Sequence, residues 1–192
     1  MHSKATAIET LKVLWQNYLT LGEAVDLDMM TPEALAAHIQ RKSLVRPFTL
    51  AAWAARQGFF IAAWALWEYY SRKFCETLNH IEEKRGNESP VDWVARSLQA
   101  NQLDFADKEW FRGAYSLRNL IAHHGARVAG PKAEGLLTRS QTALSDLQIF
   151  PDRYVAIEHA HVADLMSRID GFIGKTAPST GTQEAPAPQL PE

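Results

Sequence analysis

The sequence has a single cysteine and no large excess of charge of either sign. Cys75 has no second cysteine to pair with, so an intramolecular disulfide is excluded and a reducing compartment is indicated. The 20 Lys and Arg residues are nearly balanced by 22 Asp and Glu residues, which gives a formal net charge of −2. A basic field over the whole surface is therefore excluded, and a site for a polyanion must come from a local concentration of charge.

Long uninterrupted hydrophobic runs are also lacking. The N-terminus, Met1-His2-Ser3-Lys4, does not have the apolar stretch of a signal peptide. The segment 50–70 is apolar, but only 11 uncharged residues separate Arg56 from Glu68. A membrane-spanning helix needs about 20 apolar residues. We therefore expect a soluble, cytoplasmic protein with no membrane segment.

The chain is rich in apolar residues with helical spacing. Hydrophobic residues make up 46% of the 192 residues and include six Trp and eight Phe, enough for one domain with a substantial core. Apolar positions recur every three or four residues, and Thr31-Pro32 and Ser89-Pro90 have the form of helix starts. We predict an all-α bundle of four to five helices in a single domain over residues 1–175. Its helical segments are 4–22, 33–41 (short), 48–84, 90–100, 107–124 and 158–173.

Three other segments lack this spacing. Residues 126–141 contain Gly130, Pro131 and Gly135, and we predict a loop there. Residues 144–157 surround the turn sequence Pro151-Asp152, which indicates a small β-hairpin near the C-terminal end. Residues 176–192 are rich in Pro, Ala, Ser, Thr and Gln, and cannot offset their ordering entropy by burying apolar surface. We predict that they form a disordered tail.

The stretch 117–125 concentrates polar chemistry at the end of one predicted helix. It contains Arg118, Asn119, His123 and His124, and it stops at Gly125, a residue suited to the left-handed conformation that ends helices. At about 100° per residue, Asn119 and His123 are neighbours one turn apart, whereas Arg118 lies about 140° round the helix from His123. One helix face is apolar and should face the core: Trp110, Ala114, Leu117 and Ile121. The opposite face is polar: Arg112, Ser116, Asn119 and His123.

These side chains suit chemistry at a phosphate group. Imidazole both accepts and donates protons near neutral pH, and the C-terminal end of a helix dipole favours the imidazolium. A guanidinium binds phosphate oxygens through paired hydrogen bonds. Residues 108–139 include six basic residues against two acidic ones, a positive region in a chain that is negative overall. The candidate substrate-binding residues around the motif are Arg112, Tyr115, His124 and Arg127.

The hexapeptide Arg118-Asn119-Leu120-Ile121-Ala122-His123 resembles the motif of the HEPN superfamily, the higher-eukaryote and prokaryote nucleotide-binding domains. That motif is Arg, four to six residues and His, frequently with Asn after the Arg. The resemblance covers roughly residues 5–175. It implies a HEPN-like bundle and a metal-independent endoribonuclease, of the kind found as toxins and anti-phage defence effectors that an antitoxin or other regulatory protein restrains.

The resemblance also implies roles for individual residues. His123 would be the general acid/base, Arg118 the ligand of the phosphate and of the transition state, and Asn119 a positioning group. The 2′-OH of the RNA would attack the adjacent phosphate. The protein would be a homodimer in which two motifs meet in a composite active site.

Glu68 has two interpretations. It lies in the long apolar helix one turn before Arg72, with which it can form a local ion pair. Alternatively, it contacts Arg118 or Arg112 and supports their geometry.

The motif also has simpler interpretations. His124 can be a solvated residue at a helix end, and Cys75 has no signature of a nucleophile. The adjacent His123 and His124 diverge by about 100°, and no cluster of Cys or carboxylates accompanies them, so we expect neither a metal nor another cofactor. The alternative function is a non-catalytic helical module that binds nucleotide, RNA or a partner protein.

Overall fold

The computed structural model describes residues 4–25, 45–150 and 153–176, and these ranges contain six α-helices. The helices are α1 (Lys4–Val25), α2 (Val45–Cys75), α3 (Pro90–Ala100), α4 (Lys108–His124), α5 (Pro131–Gln141) and α6 (His159–Thr176). The same ranges contain no β-strand, so the predicted all-α class is confirmed. The six helices exceed the predicted four to five, because α5 lies where a loop was predicted. The predicted short helix at 33–41 and residues 177–192 of the predicted tail lie outside the described residues.

The longest helix, α2, packs against α1, α3, α4 and α6. It buries Phe60, Trp64 and Trp67 almost completely, as expected for a helix that is apolar around much of its circumference. The ring of Trp67 stacks on Phe111 of α4 with centroids 4.7 Å apart and meets Phe172 of α6 edge-on at 5.8 Å. These aromatic contacts join three helices into one core. Among the helices described, none has both the length and the apolar character of a membrane span.

Helix α2 ends at Cys75 and not at residue 84 as predicted. Side chains from the α3 region hold the chain that follows. Asn101 accepts a hydrogen bond from the backbone N–H of His80 at 3.0 Å and donates one to its carbonyl at 2.8 Å. Trp93 Nε1 donates to the carbonyl of Glu82 at 2.7 Å. These tertiary hydrogen bonds take the place of helical ones, so the helix propensity of the segment is overridden.

The prediction of a loop over residues 126–141 is wrong, because Pro131–Gln141 form α5. The glycine and proline that indicated a loop instead begin the helix. Gly130 precedes it with a φ of 82°, and Pro131 occupies its first turn, where a missing N–H costs no hydrogen bond. Helix α5 packs closely along α4, where a Cβ at Gly113 would overlap the Cβ of Ala143.

The predicted β-hairpin is also not supported. In the described part of the chain after α5, pairing is limited to two isolated antiparallel bridges, Arg127 with Tyr154 and Ile149 with Val155. Residues 151–152, where the turn was predicted, are outside the described ranges. The segment therefore crosses the end of α4 as short extended pieces and not as a two-stranded ladder.

Helix α4 carries the candidate motif and is buried over a wider arc than predicted. The four residues of the predicted core face are all buried, and so are Phe111, Ser116 and Leu120. Ser116 had been predicted on the polar face, but it is only 5% exposed and donates to the carbonyl of Arg112 at 3.2 Å. The arc is wide because α4 packs against α5 as well as against α2 and α3. As predicted, Gly125 ends the helix in the left-handed conformation, with a φ of 56°.

Candidate functional site

Arg118 lies on the flank of α4, between its buried face and its exposed face. The side chain is half-buried, and its Nη1 donates a hydrogen bond to Oδ1 of Asn119 at 3.0 Å. Its Nε is buried and has no hydrogen-bond partner in the described part of the chain. The guanidinium therefore has donors to spare, and its one side-chain partner among the described residues is a neutral amide.

The other arginines that are half-buried among the described side chains of α2 to α6 are neutralised. Each of these side chains forms an ion pair with at least one carboxylate: Arg56, Arg96, Arg112 and Arg168. Arg118 forms no ion pair within the part of the chain that the structure describes, although cations removed from water are normally paired. An anionic ligand at this position would supply the missing acceptor.

The two histidines of the motif differ in their surroundings. His123 is exposed in the last turn of α4, one turn after the half-buried Asn119. His124 is half-buried, and its Nε2 is buried without a hydrogen-bond partner among residues 4–25, 45–150 and 153–176. The exposed imidazole can reach a ligand in solvent, whereas His124 is partly covered by the end of the bundle.

Arg112, predicted to bind substrate, is engaged by carboxylates. Its Nε donates to Asp92 of α3 at 2.8 Å, and its Nη1 donates to Glu109 at 2.6 Å. Burial disfavours the charged form of Asp92, but hydrogen bonds from Ser89 and Arg112 outweigh it, and the pKa of Asp92 is lowered. Arg112 thus joins α4 to α3, and each of its three nitrogens already donates to a carboxylate.

Trp64 of α2 contacts both Tyr115 and Glu68. Tyr115 is half-buried, and its ring packs against Trp64 of α2 with centroids 5.7 Å apart. The indole N–H of Trp64 in turn donates to Glu68 at 3.3 Å. The predicted Glu68–Arg72 pair does not form, since Arg72 pairs with Glu76 at 4.0 Å. Among the described residues, Glu68 forms no ion pair with an arginine of α4, and the side-chain contact that the structure shows for it is the hydrogen bond from Trp64.

Arg127 lies beyond the end of α4 and is exposed. Its backbone N–H donates to the carbonyl of His124 at 2.9 Å, and its Cζ lies 6.0 Å from the ring centroid of Tyr154. Sequence reasoning identified Arg127 but missed Tyr154 as its neighbour. The two residues are far apart in the chain, so no local spacing could have revealed the contact.

The site therefore consists of Arg118, Asn119, His123 and His124 in the last two turns of α4, with Arg127 just beyond its end. The described residues contain no group of three or more His, Cys, Asp or Glu side chains that could hold a metal ion. Comparisons with family models, curated proteins and solved structures find no match to this chain.

Proposed function

We propose that this protein is a metal-independent endoribonuclease of the HEPN type, with its active site at the end of α4. The observation that carries the proposal is Arg118, a half-buried guanidinium with a buried unpartnered Nε and no carboxylate partner among the described residues. Such a group gains most from a phosphate, which accepts two hydrogen bonds and neutralises the charge. The motif in which it occurs is the one that resembles the HEPN superfamily.

The proposed reaction assigns a separate task to each residue. A 2′-oxygen of the RNA attacks the adjacent phosphorus, the bond to the 5′-oxygen breaks, and the products are a 2′,3′-cyclic phosphate and a 5′-hydroxyl. A neutral His123 takes the proton of the 2′-OH, and an imidazolium gives a proton to the departing 5′-oxygen. Arg118 binds the phosphate as negative charge builds on its oxygens. Asn119 holds the guanidinium through the 3.0 Å hydrogen bond.

A second copy of the chain would complete this site. Arg118 and His123 are five residues apart, so their side chains start about 140° apart on α4, and a second copy facing this surface would bring a further His123 to a phosphate that Arg118 binds. Two copies would also provide two imidazoles, one for each proton transfer. We therefore propose a homodimer with a composite site, acting as a toxin or anti-phage effector that an antitoxin or other regulatory protein restrains.

The test is cleavage of total RNA in the presence of EDTA. Wild-type protein should release fragments with 2′,3′-cyclic phosphate and 5′-hydroxyl ends, and His123→Ala should release none while remaining folded and dimeric. His80→Ala is the matched control, because His80 is exposed and its described hydrogen bonds involve only its backbone. Undiminished cleavage by His123→Ala, or loss of wild-type cleavage in EDTA, would overturn the mechanism.

A non-catalytic binding module is the second candidate. It is favoured by Arg118 itself, because a guanidinium with a buried unpartnered Nε and no carboxylate partner among the described residues is sufficient to bind an anion without catalysis by His123. In that case Arg118→Ala weakens the binding of a nucleotide, an RNA or a partner protein, and no protein preparation cuts RNA. The two candidates are separated by the fragment ends in the cleavage assay.

A further inference from the structure

Three short extended segments lie side by side beyond the end of α4. Tyr154 is in the middle segment. The bridge to Arg127 is flanked by hydrogen bonds from Val128 to the Arg153 carbonyl at 2.8 Å and from Val155 to the Ala126 carbonyl at 3.0 Å. On the other side, the Phe150 N–H donates to the Tyr154 carbonyl at 2.8 Å. Tyr154 therefore has Arg127 as its neighbour on one side and Phe150 on the other.

Neighbouring residues on adjacent extended segments have side chains on the same face. Arg127, Tyr154 and Phe150 thus form a lateral row, and the 6.0 Å distance from the Arg127 guanidinium to the Tyr154 ring agrees with this arrangement. Arg127 is exposed, Tyr154 is half-buried, and Phe150 is 42% exposed despite its size. The row presents a guanidinium and two aromatic rings on one surface.

The backbone under the lateral row is held in an unusual conformation. Ala126 and Arg153, which directly precede two of its members, have positive φ values of 59° and 67°. Residues other than glycine adopt this region at a cost and keep it only where their surroundings hold them there. Here the Arg153 side chain donates to the Val128 carbonyl at 2.8 Å and to Glu134 at 2.9 Å. The row is therefore preorganised next to the last turn of α4.

We propose that the lateral row is a stacking site for the unpaired bases of single-stranded RNA. Bases stack on aromatic rings and on guanidinium planes, and each stacked base adds to affinity with little dependence on sequence. The exposed Phe150, taken alone, would also suit the apolar surface of a protein partner. Arg127, however, has no carboxylate partner among the described residues, so the lateral row as a whole favours a ligand that has both negative charge and flat rings, as RNA does. The proposal rests on the proposed function and names its substrate class: RNA that is single-stranded beside the cleaved bond.

The test uses RNA that binds but cannot react. A fluorescent 2′-O-methyl oligonucleotide reports binding by anisotropy without cleavage. Phe150→Ala and Arg127→Ala should each weaken binding of the single strand about 10-fold, within the range expected for one stacked base. Phe150→Trp should retain wild-type affinity, and Phe150→Leu, which keeps the apolar surface without the ring, should lose as much as Phe150→Ala. Circular dichroism confirms that each variant is folded.

Two controls isolate stacking from other effects. Leu103→Ala removes another large exposed apolar side chain, 40% exposed and located in the connection between α3 and α4, and should leave affinity unchanged. A duplex of the same sequence offers no unpaired base, so its binding should respond to Arg127→Ala but not to Phe150→Ala.

The outcomes separate this proposal from the proposed function. If the wild type binds the single strand and Phe150→Ala binds it equally well, the stacking site is wrong while the ribonuclease proposal stands. If Phe150→Ala instead loses a protein partner and keeps RNA affinity, the row is a protein-docking surface and the proposal is overturned. If the wild type neither binds nor cuts RNA, both proposals fail.

Discussion

Nη1 of Arg118 donates a hydrogen bond to Oδ1 of Asn119, the next residue in the chain, at 3.0 Å. Side chains of adjacent helical residues start about 100° apart, so the arginine curls around α4 to make this contact. The bond orients the guanidinium but leaves its charge unneutralised. A half-buried charge without a counter-charge lowers the stability of the fold. Residues that lower stability are typical of functional sites, where the needs of activity and of stability conflict.

Replacing Arg118 by methionine should therefore stabilise the folded protein. Arg118→Met keeps the apolar stem and removes both the unneutralised charge and the buried Nε that lacks an acceptor. We expect the free energy of unfolding to rise by on the order of 1 kcal/mol. Urea denaturation followed by circular dichroism measures the change. RNA cleavage by the same variant should be lost.

Arg96→Met is the matched control for that experiment. Arg96 is also half-buried, but it forms ion pairs with Glu82 and Glu88 and donates to the Glu83 carbonyl at 2.7 Å. Its removal leaves these acceptors without their donor, so the midpoint of unfolding should fall. If Arg118→Met lowers the midpoint as Arg96→Met does, Arg118 is a structural residue and the argument for a free anion site is lost.

The close contact between α4 and α5 yields a second prediction. A Cβ at Gly113 would overlap Ala143 and lie 3.1 Å from the carbonyl of Arg139. Because backbone cannot move aside cheaply, Gly113→Ala should lower the free energy of unfolding by about 1 to 3 kcal/mol. Gly135→Ala, inside α5 with nothing within 4 Å, should instead raise it by up to about 1 kcal/mol through helix propensity. Equal effects of the two substitutions in thermal unfolding would contradict this packing.

Helix ends that depend on local chemistry could be predicted from the sequence. Ser89 was identified as the start of α3, and its Oγ accepts a hydrogen bond from the N–H of Asp92 at 3.1 Å. Gly125 was identified as the end of α4, and it has the left-handed φ that such an end requires. Both signals lie within four residues of the structure they determine.

Features that depend on distant residues could not be predicted. The chain after Cys75 leaves the helix because Asn101 and Trp93 bind its backbone, and no pattern near residue 80 contains that information. The same limit applies to the site. The spacing of Arg118, Asn119 and His123 is visible in the sequence, but the contact of Arg127 with Tyr154 depends on how the extended segments pair.

Glu88 should make the free energy of unfolding depend on pH in the acid range. Hydrogen bonds from Arg96, together with one from the backbone of Arg85, lower the pKa of Glu88 from its ordinary 4.5 to about 2. The ionised form is therefore favoured by folding. This contribution is complete above pH 4.5 and is lost as the pH falls toward 2.

Glu88→Gln should consequently be less stable than wild type near neutral pH, and the difference should disappear as the pH approaches 2. Urea denaturation at several pH values measures it. Glu83→Gln is the control, because Glu83 is exposed and its described hydrogen bond is made by its backbone carbonyl. A difference between wild type and Glu88→Gln that is constant over this pH range would contradict the pairing with Arg96.

Cys75, the single cysteine, should be inert in the folded protein. It is 1% exposed at the end of α2, and burial raises the pKa of its thiol to about 11. The thiolate is the reactive form. Raising the pKa from 9.0 to about 11 lowers the fraction of thiolate at neutral pH about 100-fold relative to an ordinary cysteine. Iodoacetamide should therefore label the native protein at least about 100-fold more slowly than the same protein in urea, as followed by mass spectrometry. If the native protein is labelled as fast as the protein in urea, the end of α2 opens readily in solution. That result would contradict the burial of Cys75.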